Sequence, residues 1–297
     1  MSELDTSQRI TVLYREAFDI DMEDEISALK KVFNYHSDRE HGDGEPFYNV
    51  LCTESRTSAA CKNALVIGRY SVLPWYKELE RDLASRGSWL INSHTVHCFI
   101  ADMSWARAAL VDMTPRTWFC MEDVPDNGGP YVLKGETNSK KHLWDTHMFA
   151  KNKQDAVQVM LRLQDDSLIS SQQVVIREYV PLKRLETGLH GLPITEEYRF
   201  FIACGKVLAG GFYWSSHVDD LSVVPKASDV PIAFLQKVID ALSCYFMDSF
   251  YVVDVARTGS GDWIVVEIND GQMSGLSEVD PLEMYTNLRT VVSDSYK

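Results

Sequence analysis

The sequence predicts an α+β protein with an α/β N-terminal part, on three observations. Strand and helix signals alternate through the first third of the chain. From about Thr114 hairpins and helices mix instead. Apolar residues make up 45% of the 297, enough for a sizeable core. The change of texture divides the chain into two expected domains, 1–113 and 114–297.

In the first part, Ile10 to Tyr14 is a β-branched run and reads as a strand. A helix follows Asp21, a suitable N-cap, with Ile26, Leu29 and Phe33 on one face. Phe47 to Cys52 and Ala64 to Tyr70 read as buried strands, and residues 37–46 as a polar, mobile loop before them. An acid-rich amphipathic helix after Pro74 ends at Gly87, and Ser88 to Ser93 is a further strand. In the second part, Tyr131 to Gly135 is a strand, Asp145 to Gln164 a helix, and Gln172 to Val180 a strand. A hairpin turns at Cys204-Gly205. A strong helix carries the stripe Leu235, Val238, Ile239, Leu242, Tyr245 and Phe246, and a second hairpin follows.

Several function classes are disfavoured. No apolar run is long enough to span a membrane, and the N-terminus lacks the basic and apolar regions of a secretory signal. The six cysteines are scattered without a CxxC pair, which points to reduced thiols in a cytoplasmic protein. A net charge of −14 argues against nucleic acid as a partner. It favours a basic or amine-bearing partner, although acidic surfaces often serve only solubility. His94 and Cys98 have no second cluster to complete a zinc site, and neither GxSxG nor HExxH occurs.

The last hairpin, YVVDVARTGSGDWIVVEINDG, carries Asp254 amid valines, and Glu267 and Asn269 on one strand face. Unpaired burial of a carboxylate costs several kcal/mol, about 2–7 even for a neutral polar group. A hard divalent cation with nucleotide phosphates would meet that cost; a solvated sheet face or pairing with Arg would as well. Lys134 closes a strand and opens a polar loop with Thr137, Ser139 and Lys140, a composition suited to phosphates or to an ordinary solvated turn. Glu178, Tyr179 and Val180 end a strand at Pro181, where free backbone groups could pair with an adenine edge and Glu186 could reach ribose. Arg199 on the strand after Glu196 is either a phosphate clamp or half of a structural ion pair.

In their order along the chain, these motifs resemble the ATP-grasp superfamily from about Thr114 to Asn287. VDV…EIN is similar to the closing metal motif of ribosomal-protein glutamate ligases. IREYVPL…EEYRFFI resembles the cell-division-cycle 123 family, and the whole resembles stand-alone ATP-grasp proteins of bacteria and phages. The resemblance implies an ATP-grasp fold, with ATP held between two α+β subdomains and 1–113 as a pre-grasp domain. It implies that Lys134, Thr137, Ser139 and Lys140 meet phosphates, Glu178, Tyr179 and Val180 meet adenine, and Glu186 meets ribose. Arg199 would face the γ-phosphate or acyl phosphate. Asp254, Glu267 and Asn269 would hold Mg²⁺, with Mn²⁺ as an alternative, and Gln272 to Gly275 would lie near the acceptor.

The expected activity is ATP-dependent carboxylate–amine ligation on an amino acid, peptide or protein. A kinase on the same fold and a nucleotide-binding assembly factor without turnover are the alternatives. The sequence departs from the superfamily in three places. The phosphate loop has Lys140-Lys141 in place of multiple glycines, and only Arg107 stands near an expected earlier lysine. Tyr213 and Trp214 stand where the ribosomal-protein ligases carry arginines, which counts against an acidic peptide substrate.

Overall fold

The structure, a computed structural model, describes residues 9–14, 21–33, 47–52, 56, 58, 61–215, 218 and 225–295; the polar loop expected at 37–46 lies outside these. The N-terminal part is a parallel sheet of β1 (Arg9–Tyr14), β2 (Phe47–Cys52), β3 (Leu65–Arg69) and β4 (Trp89–Leu90) in the order β2-β1-β3-β4. Its strands are largely apolar, as strands covered on both faces must be. Helices α1 (Asp21–Phe33) and α2 (Tyr76–Ala84) accompany it, with Leu29 and Phe33 of α1 and Leu79 and Leu83 of α2 buried. Asp21 opens α1 rather than preceding it, and α2 is capped at Ser85, before Gly87. Two short helices, α3 (His94–Ala101) and α4 (Ser104–Ala108), lead out of this part.

A second sheet, antiparallel, has the order β5-β8-β6-β7 from β5 (Thr117–Trp118), β6 (Tyr131–Gly135), β7 (Phe149–Ala150) and β8 (Val174–Glu178). The helix expected over Asp145 to Gln164 is shorter: α5 spans Lys153–Gln164. Asn152 stops it by accepting from the Asp155 N–H at 2.9 Å, and Phe149 pairs with Val132 as strand. Residues Trp144 to Met148 form one wide helical turn, and Trp144 stacks on Phe149 with ring centroids 5.9 Å apart. A two-stranded ribbon follows, β9 (Arg184–Thr187) and β10 (Pro193–Thr195).

The third sheet has the order β12-β11-β13-β14, antiparallel, from β11 (Glu197–Ala203), β12 (Lys206–Phe212), β13 (Phe250–Arg257) and β14 (Trp263–Asp270). Its two faces have different fates. Tyr198, Phe200, Ile202, Val253 and Ile268 pack under α6 (Ile232–Phe246). Leu235, Val238, Ile239, Leu242 and Phe246 of that helix are buried; Tyr245 stays at the margin, stacked on Phe99 at 4.6 Å. On the opposite face, Phe201, Ala203, Phe250 and Val252 are covered by the N-terminal sheet, α1 and α7 (Pro281–Ser295). Further along that face alternation places Arg199, Asp254 and Glu267, where polar chemistry replaces packing.

Candidate active site

Strand register assembles the centre of the site. Asp254 stands opposite Arg199 on one side and Glu267 on the other. Asp254 is only 1% exposed, and its two oxygens accept from Arg199 Nε at 2.9 Å and Nη2 at 2.8 Å. This fork-to-carboxylate pairing offsets the burial of both charges. Arg199 Nη1 donates to the Gly275 carbonyl at 2.8 Å, and Asn269 Nδ2 reaches Asp254 Oδ2 at 3.3 Å. Glu267 crosses to the other sheet and accepts from Lys134 on β6. A register shift beside Asp254 leaves Val266 as the extra residue of β14, and Arg177 of β8 donates to its carbonyl.

The electrostatics follow from shared burial. Burial opposes ionisation of Glu267, but Lys134 and Lys141 outweigh it and hold its carboxyl at about 2. Lys141 donates to the Tyr213 hydroxyl and lies 4.3 Å and 4.9 Å above the Tyr213 and Trp214 rings. Burial works against its charge, yet Tyr213, Glu197 and Glu267 keep the ammonium above its ordinary value. Burial lifts Glu197 to about 7 against the pull of Lys141, with Asp254 and Glu267 pushing the same way as burial. Trp214 Nε1 donates to its Oε2 at 3.0 Å. Burial brings Arg177 down to about 10, opposed by Glu267.

Two chambers meet at Glu267, which lines both. The first, of about 940 Å³ including the part open to solvent, lies between the second and third sheets. Lys134, Lys141 and Arg177 bring charge to it, and Trp144, Met148 and Tyr179 bring apolar wall. The second, of about 850 Å³ on the same measure, lies against α3 and the end of β14.

The expected residues divide between these spaces. Lys134, Ser139, Glu178, Tyr179 and Val180 line the first chamber. The Glu178 and Tyr179 N–H groups are already taken by the carbonyls of Arg116 (2.8 Å) and Pro130 (2.9 Å). Thr137 lines the second chamber, its N–H donating to Gln172 Oε1 at 3.1 Å. Lys140 turns away to Asp166 at 2.7 Å, and its neighbour Lys141 lines the first chamber instead. Glu186 is exposed on β9 and lines neither chamber. Of Gln272 to Gly275, Met273 and Ser274 line the second chamber, whereas Gln272 is buried on Tyr76 and the Gly68 N–H. Arg107 lies over the Phe119 ring, 4.0 Å away.

Lys141, Arg177 and Glu197 were missed as site residues. The signals were present: a lysine doublet, an arginine inside an apolar strand, and an acid two residues before Arg199 on the same face.

Among the described residues no three His, Cys, Asp or Glu side chains converge as a metal cluster. A divalent ion here would take the Asp254 and Glu267 carboxylates, which face each other across the ladder, and the Asn269 amide oxygen. Such an all-oxygen set leaves coordination places for phosphate and water, and fits Mg²⁺.

Known proteins were compared with the chain. A family described as an ATP-grasp domain, the third family of its clade, matches residues 124–288, more than half of the chain. The chain belongs to this ATP-grasp family. No curated protein matches it in sequence. Among solved structures, D-cycloserine synthetase DcsG is similar at 14% identity and TM-score 0.56, covering 97% of this chain and 100% of that one. The RimK domain protein ATP-grasp from Sphaerobacter thermophilus is similar at 16% identity and TM-score 0.54, covering 94% and 98%. D-alanine–D-alanine ligase from Bacillus anthracis, complexed with ATP, is similar at 14% identity and TM-score 0.53, covering 97% and 96%. At these identities the likeness is one of fold, and the fold is that of ATP-grasp ligases.

Proposed function

We propose that the protein is an ATP-dependent carboxylate–amine ligase that works through an acyl phosphate. One arrangement carries this reading. Lys134 of one sheet and Asp254, Glu267 and Asn269 of the other come together where the two chambers meet. The first chamber suits the nucleotide, with Trp144, Tyr179 and Val180 beside the base and Lys134, Lys141 and Arg177 towards the phosphates. Mg²⁺, or Mn²⁺ in its place, would be held by Asp254, Glu267 and Asn269 and would supply neutralising charge along the phosphates. The proposed division is a pre-grasp domain, 1–113, and a grasp domain, 114–297.

In the first step a carboxylate oxygen of the acid attacks the γ-phosphorus. The bond to the bridging oxygen breaks, and ADP leaves with that electron pair. The amine nitrogen then attacks the acyl carbon, phosphate departs, and the amine's proton passes to phosphate or water. Lys134, Lys141 and Arg199 stabilise the charge developed by both steps without acting as acids or bases. The fold supports this chemistry on small or peptide substrates: its neighbours include a D-alanine–D-alanine ligase and PsnB, a ligase complexed with a precursor peptide. A cytoplasmic location belongs to the same proposal; among the described residues no helix is long and apolar enough to cross a membrane.

The test is ADP release with Mg·ATP over a panel of acids and amines, followed by mass spectrometry. An amide with free phosphate is expected. A phosphoester would replace the ligase by a kinase. The lack of any thermal shift with Mg·ATP would remove the nucleotide site altogether.

A further inference from the structure

We propose that the second chamber receives an alkylamine carrying a second ammonium group, and not an amino acid held by its carboxylate. This deepens the ligase reading and rests on it for the identity of the nucleophile. Carboxylates of Glu136, Glu267 and Asp270 line the chamber, and no Lys or Arg does so among the described residues. The basic groups Lys134, Lys141 and Arg177 line the first chamber instead. A substrate carboxylate in the second chamber would thus face three acids with no cation to pair it, an arrangement that burial makes more costly.

Two acceptors there are free. The Glu136 carboxylate is half-buried and has no hydrogen-bond or ion-pair partner among the described residues. The His97 side chain is 8% exposed, and its Nδ1 lies 3.2 Å from Asp270 Oδ2. Asp270 also accepts from Asn92 Nδ2 at 2.7 Å and from the Gln272 N–H at 2.9 Å, so it is fixed in place and orients the ring. With Nδ1–H donating to that carboxylate, His97 Nε2 is left as an acceptor. No fully buried side-chain nitrogen or oxygen among the described residues lacks a partner, so Nε2 is not sealed, and His97 lines the chamber.

Apolar wall completes the site: Leu73, Ile100, Met103 and Met273 stand around these acceptors. Methylenes against such a wall and ammonium hydrogens on Glu136 and His97 describe a linear di- or polyamine. One nitrogen anchors there, and another lies towards Glu267 and Asn269, where the acyl phosphate would form.

Spermidine, 1,4-diaminobutane and alanine are the probes, titrated calorimetrically into the full chain at about 0.15 M salt to screen diffuse attraction. Wild type, Glu136→Gln and the exposed control Glu283→Gln are compared. Spermidine and 1,4-diaminobutane should bind wild type and the control alike, and bind Glu136→Gln about tenfold or more weakly; alanine should not bind. Equal binding by all three proteins would assign the polyamine to the acidic surface and overturn the proposal. Binding of alanine in place of spermidine would overturn it as well. The Mg·ATP thermal shift is read on the same samples. Retention of that shift without spermidine binding rejects the chamber assignment alone. Loss of the shift rejects the ligase reading, while the titration still judges the chamber.

Discussion

Replacing Glu197 by glutamine should stabilise the protein above neutral pH and leave it little changed in mild acid. Burial is the leading reason that this carboxyl sits at about 7 rather than its ordinary 4.5. Between those two values the unfolded chain has released a proton that the folded chain still holds. Folding therefore takes up a proton there, and stability falls as pH rises from about 4.5 through about 7. At about 1.4 kcal/mol for each tenfold change in proton activity, the full gap corresponds to about 3 kcal/mol, expressed above pH 7. Glutamine has the same shape as the neutral acid and can still accept from Trp214 Nε1, now 3.0 Å from Oε2. It cannot ionise, so this dependence disappears. Urea unfolding of wild type and Glu197→Gln from pH 5 to pH 8 isolates the residue, because all other groups titrate in both. The difference in unfolding free energy should grow by about 2–3 kcal/mol in favour of the variant across that range. A difference constant with pH would refute the reasoning. It would mean that Lys141 holds Glu197 ionised in the folded state throughout.

Three further outcomes are expected. Lys134→Ala should weaken ATP binding by about 1.5–3 kcal/mol, and the exposed Lys151→Ala should not, as measured by nucleotide titration; equal affinities would make the loop after β6 an ordinary turn. Glu267→Gln and Asn269→Ala should abolish ADP release in proteins that still melt cooperatively, since each removes an oxygen donor proposed for the metal; full turnover with unchanged Mg²⁺ dependence in Glu267→Gln would take that residue out of the site. Gly211→Ala should cost about 1–3 kcal/mol in chemical denaturation because its Cβ would stand 2.5 Å from the Glu278 backbone carbon, and an unperturbed midpoint would show that this segment moves aside freely.

The elements were legible wherever the pattern was local. The apolar runs of β1 and β3, the stripe of α6 and the two hairpins depend on periodicity and turn chemistry, and both are written in neighbouring residues. The candidate metal triplet was legible for the same reason: Glu267 and Asn269 share a face by spacing, and a tight hairpin returns Asp254 beside them. Where local signals competed, the sequence misled. Residues 145–152 continue a helical composition, but the β6 edge pairs with Phe149 and the Asn152 side chain caps the helix that follows.

What the sequence by itself determined was the order of strands and helices and which side chains share a strand face or helix stripe. Only the tertiary structure decided which sheet faces which. That choice sets Lys134 against Glu267, 133 positions apart. It turns Lys141 inward over Tyr213 and Trp214 while Lys140 leaves for Asp166. It also gives Glu197 and Arg177 their displaced proton affinities, because burial and facing charges come from chain segments far away in sequence. Strand alternation can say that Glu186 points to one side of β9, but not that the cleft is lined by Glu178 to Val180 and leaves Glu186 outside. The physical reason is range. Dihedral preference and side-chain period act over a few residues, whereas a cleft is made by surfaces that meet only after the chain has packed.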